Sequence, residues 1–167
     1  MPRRCARRAA ATSSLPAASS RARPSGSKRR IARRCSVPDL TPELAVADLE
    51  RSLGFYRDIL GFSVLYDRPS EGFACLRYEG IELMLDQIGK GRTWETGPLE
   101  HPLGRGLNLQ CRVSAIDPLA ERLGRAGIAL YLPIETRTYR VGDRDIRQRQ
   151  FCVQDPDGYL LRFCEDS

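Results

Sequence analysis

Residues 41–62, TPELAVADLERSLGFYRDILGF, and residues 107–128, LNLQCRVSAIDPLAERLGRAGI, decide the fold because they read as the same unit written twice. In the first, Pro42, Leu44 and Val46 alternate with Thr41, Glu43 and Ala45, the period of a half-buried strand. Asp48 suits a helix N-cap. Leu49, Leu53, Tyr56 and Leu60 then recur every three or four residues, and Gly61 offers a left-handed stop. About 67 residues further on, Leu107, Leu109, Cys111 and Val113 alternate with Asn108, Gln110 and Arg112. Asp117-Pro118 supplies an N-cap and first helical residue, Leu119, Leu123 and Ala126 form the apolar stripe, and Gly127 ends it.

Working outward, FSVLYDR, FACLRYEG and IELMLDQ follow the first helix as strands, and ALYLP, RQRQFCV and YLLRFCE follow the second. Asp155-Pro156-Asp157-Gly158 turns the chain between the last two, with Gly158 at positive φ. Each half is strand, helix, three strands. The expected class is α+β: paired βαβββ modules, about 38–90 and 105–166, forming a curved mixed sheet with a cleft and helices packed on its outer face. GKGRTWETGPLEHPLGRG is a long connection between the halves, and RTYRVGDRD reads as a connection within the second.

The first 35 residues stand apart, with eleven Lys or Arg and no Asp or Glu. They lack the apolar mass needed to offset the entropy of ordering. Residues 1–36 are therefore expected to be a disordered basic tail, a leader, or an upstream extension not translated in the cell. The expected domain is 37–167. From residue 36 onward sixteen basic residues face twenty-one acidic ones, a balance of about −5, so the basic character belongs to the tail. A folded basic face for nucleic acid is not expected. No run reaches the roughly eighteen apolar residues of a membrane span, and the expected location is cytoplasmic. Cys75, Cys111, Cys152 and Cys164 are spread through strand segments without a C-x-x-C pair and read as small buried hydrophobes.

Period two also sorts the strand residues into faces. Leu44, Val46, Leu83, Leu85, Leu109, Val113, Leu161 and Phe163 belong to the face that the helices cover. Thr41, Glu43, Glu82, Met84, Asn108, Gln110, Arg112, Leu160 and Arg162 belong to the other, with Gln148 and Gln150 of matching parity. That second face is either a hydrated sheet surface or a ligand groove, and the apolar Met84 and Leu160 among polar neighbours favour a groove. Trp94 and Tyr139, in the connections, are candidates to stack on a ligand or to pack locally or against another subunit. The candidate ligand-binding set is Glu43, Glu82, Met84, Trp94, Asn108, Gln110, Arg112, Tyr139, Gln150 and Arg162.

Catalytic chemistry finds little to stand on. A metal centre needs three or four converging His, Cys, Asp or Glu side chains. The one histidine, His101, sits in a loop-like segment without ligand spacing, and Glu43 with Glu82 makes only a pair. There is no serine elbow, no G-x-x-x-x-G-K-[ST] loop and no G-x-G-x-x-G after a strand. The expectation is no catalytic residue, no metal and no cofactor.

LAVADLERSLGFYRDILGF, IELMLDQ, GRGLNLQCRV and the closing RQRQFCVQDPDGYLLRF together resemble the vicinal-oxygen-chelate (glyoxalase / bleomycin resistance / extradiol dioxygenase) superfamily, specifically its bleomycin resistance protein branch, over residues 38–166. The resemblance implies a homodimer with grooves at or near the subunit interface. In the metal-dependent relatives it puts ligands at the positions of Thr41, Asn108 and Arg162, with a glutamate at that of Glu82. Only Glu82 retains a carboxylate, and Arg162 repels a cation at close range.

The resemblance therefore implies a non-catalytic protein that binds a bleomycin-type drug stoichiometrically and keeps it from DNA. Such drugs are cationic and carry extended aromatic parts. An acidic folded region with Glu43 and Glu82 in its groove suits them, Trp94 or Tyr139 would stack on their rings, and Arg112 and Arg162 would pair with the two glutamates. Two alternatives stay open: a metal-dependent lyase, isomerase or dioxygenase of the same superfamily, and a non-enzymatic binder of another small metabolite. Expected partners are a small-molecule ligand and a second copy of the chain, with neither nucleic acid nor membrane.

Overall fold

The computed structural model describes residues 40–92 and 94–166; the expectations for the basic tail lie outside the described residues. The first module runs β1 (Glu43–Val46), α1 (Leu49–Leu53), a π-helical turn (Gly54–Ile59), β2 (Ser63–Arg68), β3 (Phe73–Tyr78) and β4 (Ile81–Gln87). The second runs β5 (Asn108–Arg112), α2 (Asp117–Arg125), β6 (Leu132–Val141), β7 (Arg144–Gln154) and β8 (Leu160–Asp166). Each module makes its own four-stranded mixed sheet, ordered β1-β4-β3-β2 and β5-β8-β7-β6. In both, the opening strand lies parallel to the closing one, and the other neighbours are antiparallel. The α+β class and the doubled βαβββ order are those read from the sequence.

Local chemistry sets the helix ends. The Asp48 carboxylate accepts from the Arg51 amide at 2.8 Å, an N-cap, and Gly61 has φ +86°. Beyond Leu53 the turn widens: the Leu60 amide donates to the Phe55 carbonyl and the Phe62 amide to that of Tyr56. The extra residue lets the adjacent Phe55 and Tyr56 both enter the core. In the second module Asp117 is the first helical residue, not the cap as expected. Ile116 takes the cap position without a side-chain cap; its own amide donates to Glu165, on β8, at 2.8 Å, while Asp117 is held by Arg149 at 2.8 Å.

The second module corrects two strand readings. Ala129 to Tyr131 lie before β6, and RTYRVGDRD is no connection: β6 and β7 meet as a hairpin through Gly142, at φ +62°, and Asp143. Arg140 and Asp145 pair across it at 3.2 Å. The β7–β8 ladder begins only at Gln148↔Asp166, so the outer hairpin extends beyond β8 and is exposed.

One apolar core draws on both modules. It packs Leu44, Val46, Leu83 and Leu85 with Val113, Leu161 and Phe163 beneath Leu49, Leu53, Tyr56, Leu119 and Leu123. These are the strand faces assigned to the helices, each large side chain contributing about 1.5–3 kcal/mol by burial. Buried polar groups of the Asp155–Gly158 turn fasten the modules. The Asp157 carboxylate accepts from the Ala47 amide at 3.1 Å, the Arg51 guanidinium at 2.6 Å and the Ser52 hydroxyl at 3.1 Å. Tyr56 donates its hydroxyl to Asp155 at 2.8 Å. Gly158 has φ +92°, and a Cβ there would fall 2.2 Å from the Pro102 Cβ, so the turn demands glycine twice over. Cys75, Cys111, Cys152 and Cys164 are buried and free, and burial pushes the Cys111 thiol up to about 12.

Candidate functional site

The faces turned away from the helices carry the candidate site, and strand register builds it row by row. On the first sheet Glu43 lies beside Met84, Met84 beside Cys75, and Cys75 beside Tyr66. The adjoining row is Ala45, Asp86, Phe73 and Arg68. Tyr66 stacks on Phe73 with centroids 5.9 Å apart, and the Arg68 guanidinium sits 3.7 Å over the Phe73 ring. Two adjoining grooves of about 420 and 330 Å³ open on this face, and both are lined by Glu43, Asp86 and Trp94. The connecting segment supplies Trp94, which is 61% exposed and carries the Arg92 guanidinium 4.0 Å above its ring.

The second sheet bears a groove of about 220 Å³ lined by Gln110, Arg112, Tyr139, Gln148 and Arg162, with Val141 and Ile146 from the outer hairpin. Gln150, only 3% exposed, is not part of that lining but is bonded to it through Tyr139. Its amide nitrogen donates to Glu135 and to the Tyr139 hydroxyl, each at 2.8 Å. The first of these bonds holds the Glu135 carboxyl below its ordinary range. The Gln150 carbonyl oxygen and the Arg162 Nε are buried without a hydrogen-bond partner, an unmet acceptor and an unmet donor.

The predicted residues thus fall into two groups. Glu43, Met84 and Trp94 come together on the first sheet; Gln110, Arg112, Tyr139 and Arg162 come together on the second, with Gln150 bonded to Tyr139. The grooves of the two sheets share no lining residue. Asn108 is exposed at the start of β5 and lines none of them. Glu82 is also set apart: the Glu79-Gly80 turn puts it opposite Arg77, whose guanidinium binds its carboxylate. The expected pairing of Arg112 and Arg162 with Glu43 and Glu82 is not made, because those side chains lie on different sheets. Arg112 pairs with Asp166 at 2.9 Å and Arg162 donates to Gln110.

A divalent metal does not fit these donors. Glu82 is committed to Arg77, a guanidinium occupies position 162, and among the described residues no three His, Cys, Asp or Glu side chains converge. Sequence reasoning passed over Asp86, Tyr66 and Arg92. Asp86 shares the parity of Glu82 and Met84 in IELMLDQ, a signal that was available. Tyr66 lay in the expected strand FSVLYDR, but the bulge between Val64 and Tyr66 turns it to the cleft face against simple parity, and Arg92 became visible only once the connection was placed.

Proteins of known kind share this framework. Bleomycin resistance proteins of Geobacillus stearothermophilus and Staphylococcus aureus are 29% identical over 130 residues, 73% of this chain and 92% of theirs. TioX from Micromonospora sp. ML1 is structurally similar with a TM-score of 0.59 at 22% identity, covering 77% of this chain and 98% of that one. The virulence protein STM3117 of Salmonella typhimurium gives a TM-score of 0.56 at 21% identity, covering 78% and 98%. At such identity these two structures speak for the fold alone. A family model matches residues 40–163, nearly all of the two modules, and the chain belongs to the Glyoxalase/Bleomycin resistance protein/Dioxygenase superfamily.

Proposed function

We propose that the protein binds a bleomycin-type drug stoichiometrically and without chemical conversion, as a homodimer in the cytoplasm. The observation that carries this reading is the first-sheet groove, where the carboxylates of Glu43 and Asp86 stand beside the exposed Trp94 over an apolar floor of Ala45, Met84 and Phe73. Carboxylates and an indole face suit a cationic ligand with flat rings. The similarity to bleomycin resistance proteins supports the same ligand class.

Dimerisation completes the site in this account. Each sheet offers half a cleft, one lined by Glu43 and Asp86, the other by Arg112 and Arg162. Leu65, Tyr66, Tyr139, Val141 and Ile146 are exposed on the same strands. A two-fold pairing that sets the first sheet of one copy over the second sheet of the other joins complementary charge and covers that apolar surface.

Protection of plasmid DNA from metal-activated bleomycin tests this. Sequestration predicts protection that saturates at one protein chain per drug, with the drug recovered at unchanged mass. Protection by substoichiometric protein with a changed drug mass would instead mean catalysis. One observation favours a second reading, a binder of a different small metabolite: the unmet Arg162 Nε and Gln150 oxygen suit a carboxyl or amide group. That reading predicts no protection at any ratio.

A further inference from the structure

Asp86 is the one residue of the first-sheet face whose burial and lack of partners require explanation. It is 9% exposed, and both grooves reach it, yet no hydrogen bond or ion pair among the described residues engages its carboxylate. The cations that line the adjoining groove are already committed, Arg92 to the face of Trp94. Arg68 binds Glu71 at 2.7 Å and lies over Phe73. A carboxylate on a nearly buried residue that meets only the groove and makes no hydrogen-bonded ion pair is costly to the fold, and burial pushes the Asp86 carboxyl upward, with Arg68 opposing the shift and Glu71 adding to it. Such a group is typical of a site completed by its ligand.

The surroundings limit what that ligand group can be. Glu43 and Glu95 line the same groove and add negative charge. Ala45, Ile88 and Leu99 supply apolar walls, which suit the stem or ring of an organic ion better than a hydrated metal. Trp94 already holds one guanidinium, that of Arg92, against its face, so the ring is placed to receive cationic character.

We propose that Asp86 is the counter-ion of an organic cation, a protonated amine, amidine or guanidine borne on a flat ring that lies against Trp94. This deepens the reading of the cleft face as a small-molecule site and rests on it. Glu43 acts at longer range, raising the local concentration of cations, whereas Asp86 makes the direct charged hydrogen bond. Glu82, held by Arg77, takes no part.

Three probes of one shape decide it: benzamidine, which is cationic, benzamide, which is neutral, and benzoate, which is anionic. Trp94 is the only tryptophan of the chain, so its fluorescence reports occupancy in the full-length protein. The expected result is benzamidine binding roughly tenfold or more tighter than the other two, the usual worth of a charged hydrogen bond. Asp86→Asn removes that preference and leaves benzamide unchanged, with an undiminished melting temperature because no partner is lost. Equal binding of benzamidine and benzamide to the unaltered protein would overturn the assignment, as would a preference that survives in Asp86→Asn. The first comparison holds even if the variant fails to fold. Bleomycin in the same assay separates the two levels: drug binding without benzamidine selectivity removes the Asp86 role and keeps sequestration. Benzamidine held through Asp86 by a protein that ignores the drug keeps the subsite and removes the drug.

Discussion

Asp86 and Asp155 are both buried carboxylates, but they differ in what holds them. Asp155 accepts from the amides of Asp157 and Tyr159 at 3.0 and 2.8 Å and from the Tyr56 hydroxyl. Burial nevertheless outweighs those bonds and raises its pKa. A raised carboxyl has a definite sign in linkage. Above its ordinary value of about 3.9 the unfolded chain releases a proton that the folded chain retains, so this group lowers stability as pH rises through its folded pKa. Asn at 155 keeps the two amide bonds and can donate to the Tyr56 oxygen. Asp155→Asn is therefore expected to stay within about 1 kcal/mol of the parent at pH 4 and to gain on it toward pH 7, measured by urea unfolding; parallel pH profiles for the two proteins would contradict the assignment. At the groove, Glu82→Gln is expected to change cationic-ligand affinity less than about twofold by titration, since Arg77 already screens that charge. Strand parity alone makes Glu82 and Glu43 equivalents. The Arg77↔Glu82 register that separates them depends on a turn whose geometry the sequence does not spell out.

Among the elements, the Asp155–Gly158 turn has the largest structural consequence. Its two aspartates reach into the first module, so a segment recognisable from sequence as a turn is also the clasp between modules. Asp157→Ala leaves the Ala47 amide, Arg51 and Ser52 without their acceptor, and a loss of roughly 2–4 kcal/mol is expected in urea unfolding; a loss below 1 kcal/mol would show that the clasp is dispensable. The helices and the strands β1, β3, β4, β5, β8 and the inner part of β7 were legible because apolar residues recur on the side that meets the core, and β2, though largely exposed, was legible as a short β-rich run between turn residues. The β6–β7 hairpin was not. From Arg137 to Arg147 its cross-strand partners are mostly polar or charged, and neither face is buried within one chain. The pattern therefore lacks the apolar rhythm that betrays a strand. The Gly142-Asp143 turn was its one local sign.

Across the whole molecule, two sheets share a core and turn unlike cleft faces outward, one carrying Glu43 and Asp86, the other Arg112 and Arg162. The alternation suggested a single groove shared by both modules; among the described residues the grooves on the face of Glu43 and Asp86 and the groove on the face of Arg112 and Arg162 share no lining residue. Parity places residues on a face, but it does not say which faces meet. The proposed two-fold pairing makes the exposed Tyr139–Ile146 surface of the hairpin part of the interface. Ile146→Lys is accordingly expected to shift the protein from dimer to monomer in sedimentation velocity while its far-ultraviolet spectrum is kept; an unchanged dimer would place the interface elsewhere. Calorimetric titration of metal-free bleomycin into the protein, with bound metal measured in the same sample, tests the central claim most directly. The account predicts saturable heat at one drug per chain, without stoichiometric metal on the protein. No heat of binding, together with metal retained at one per chain, would contradict it.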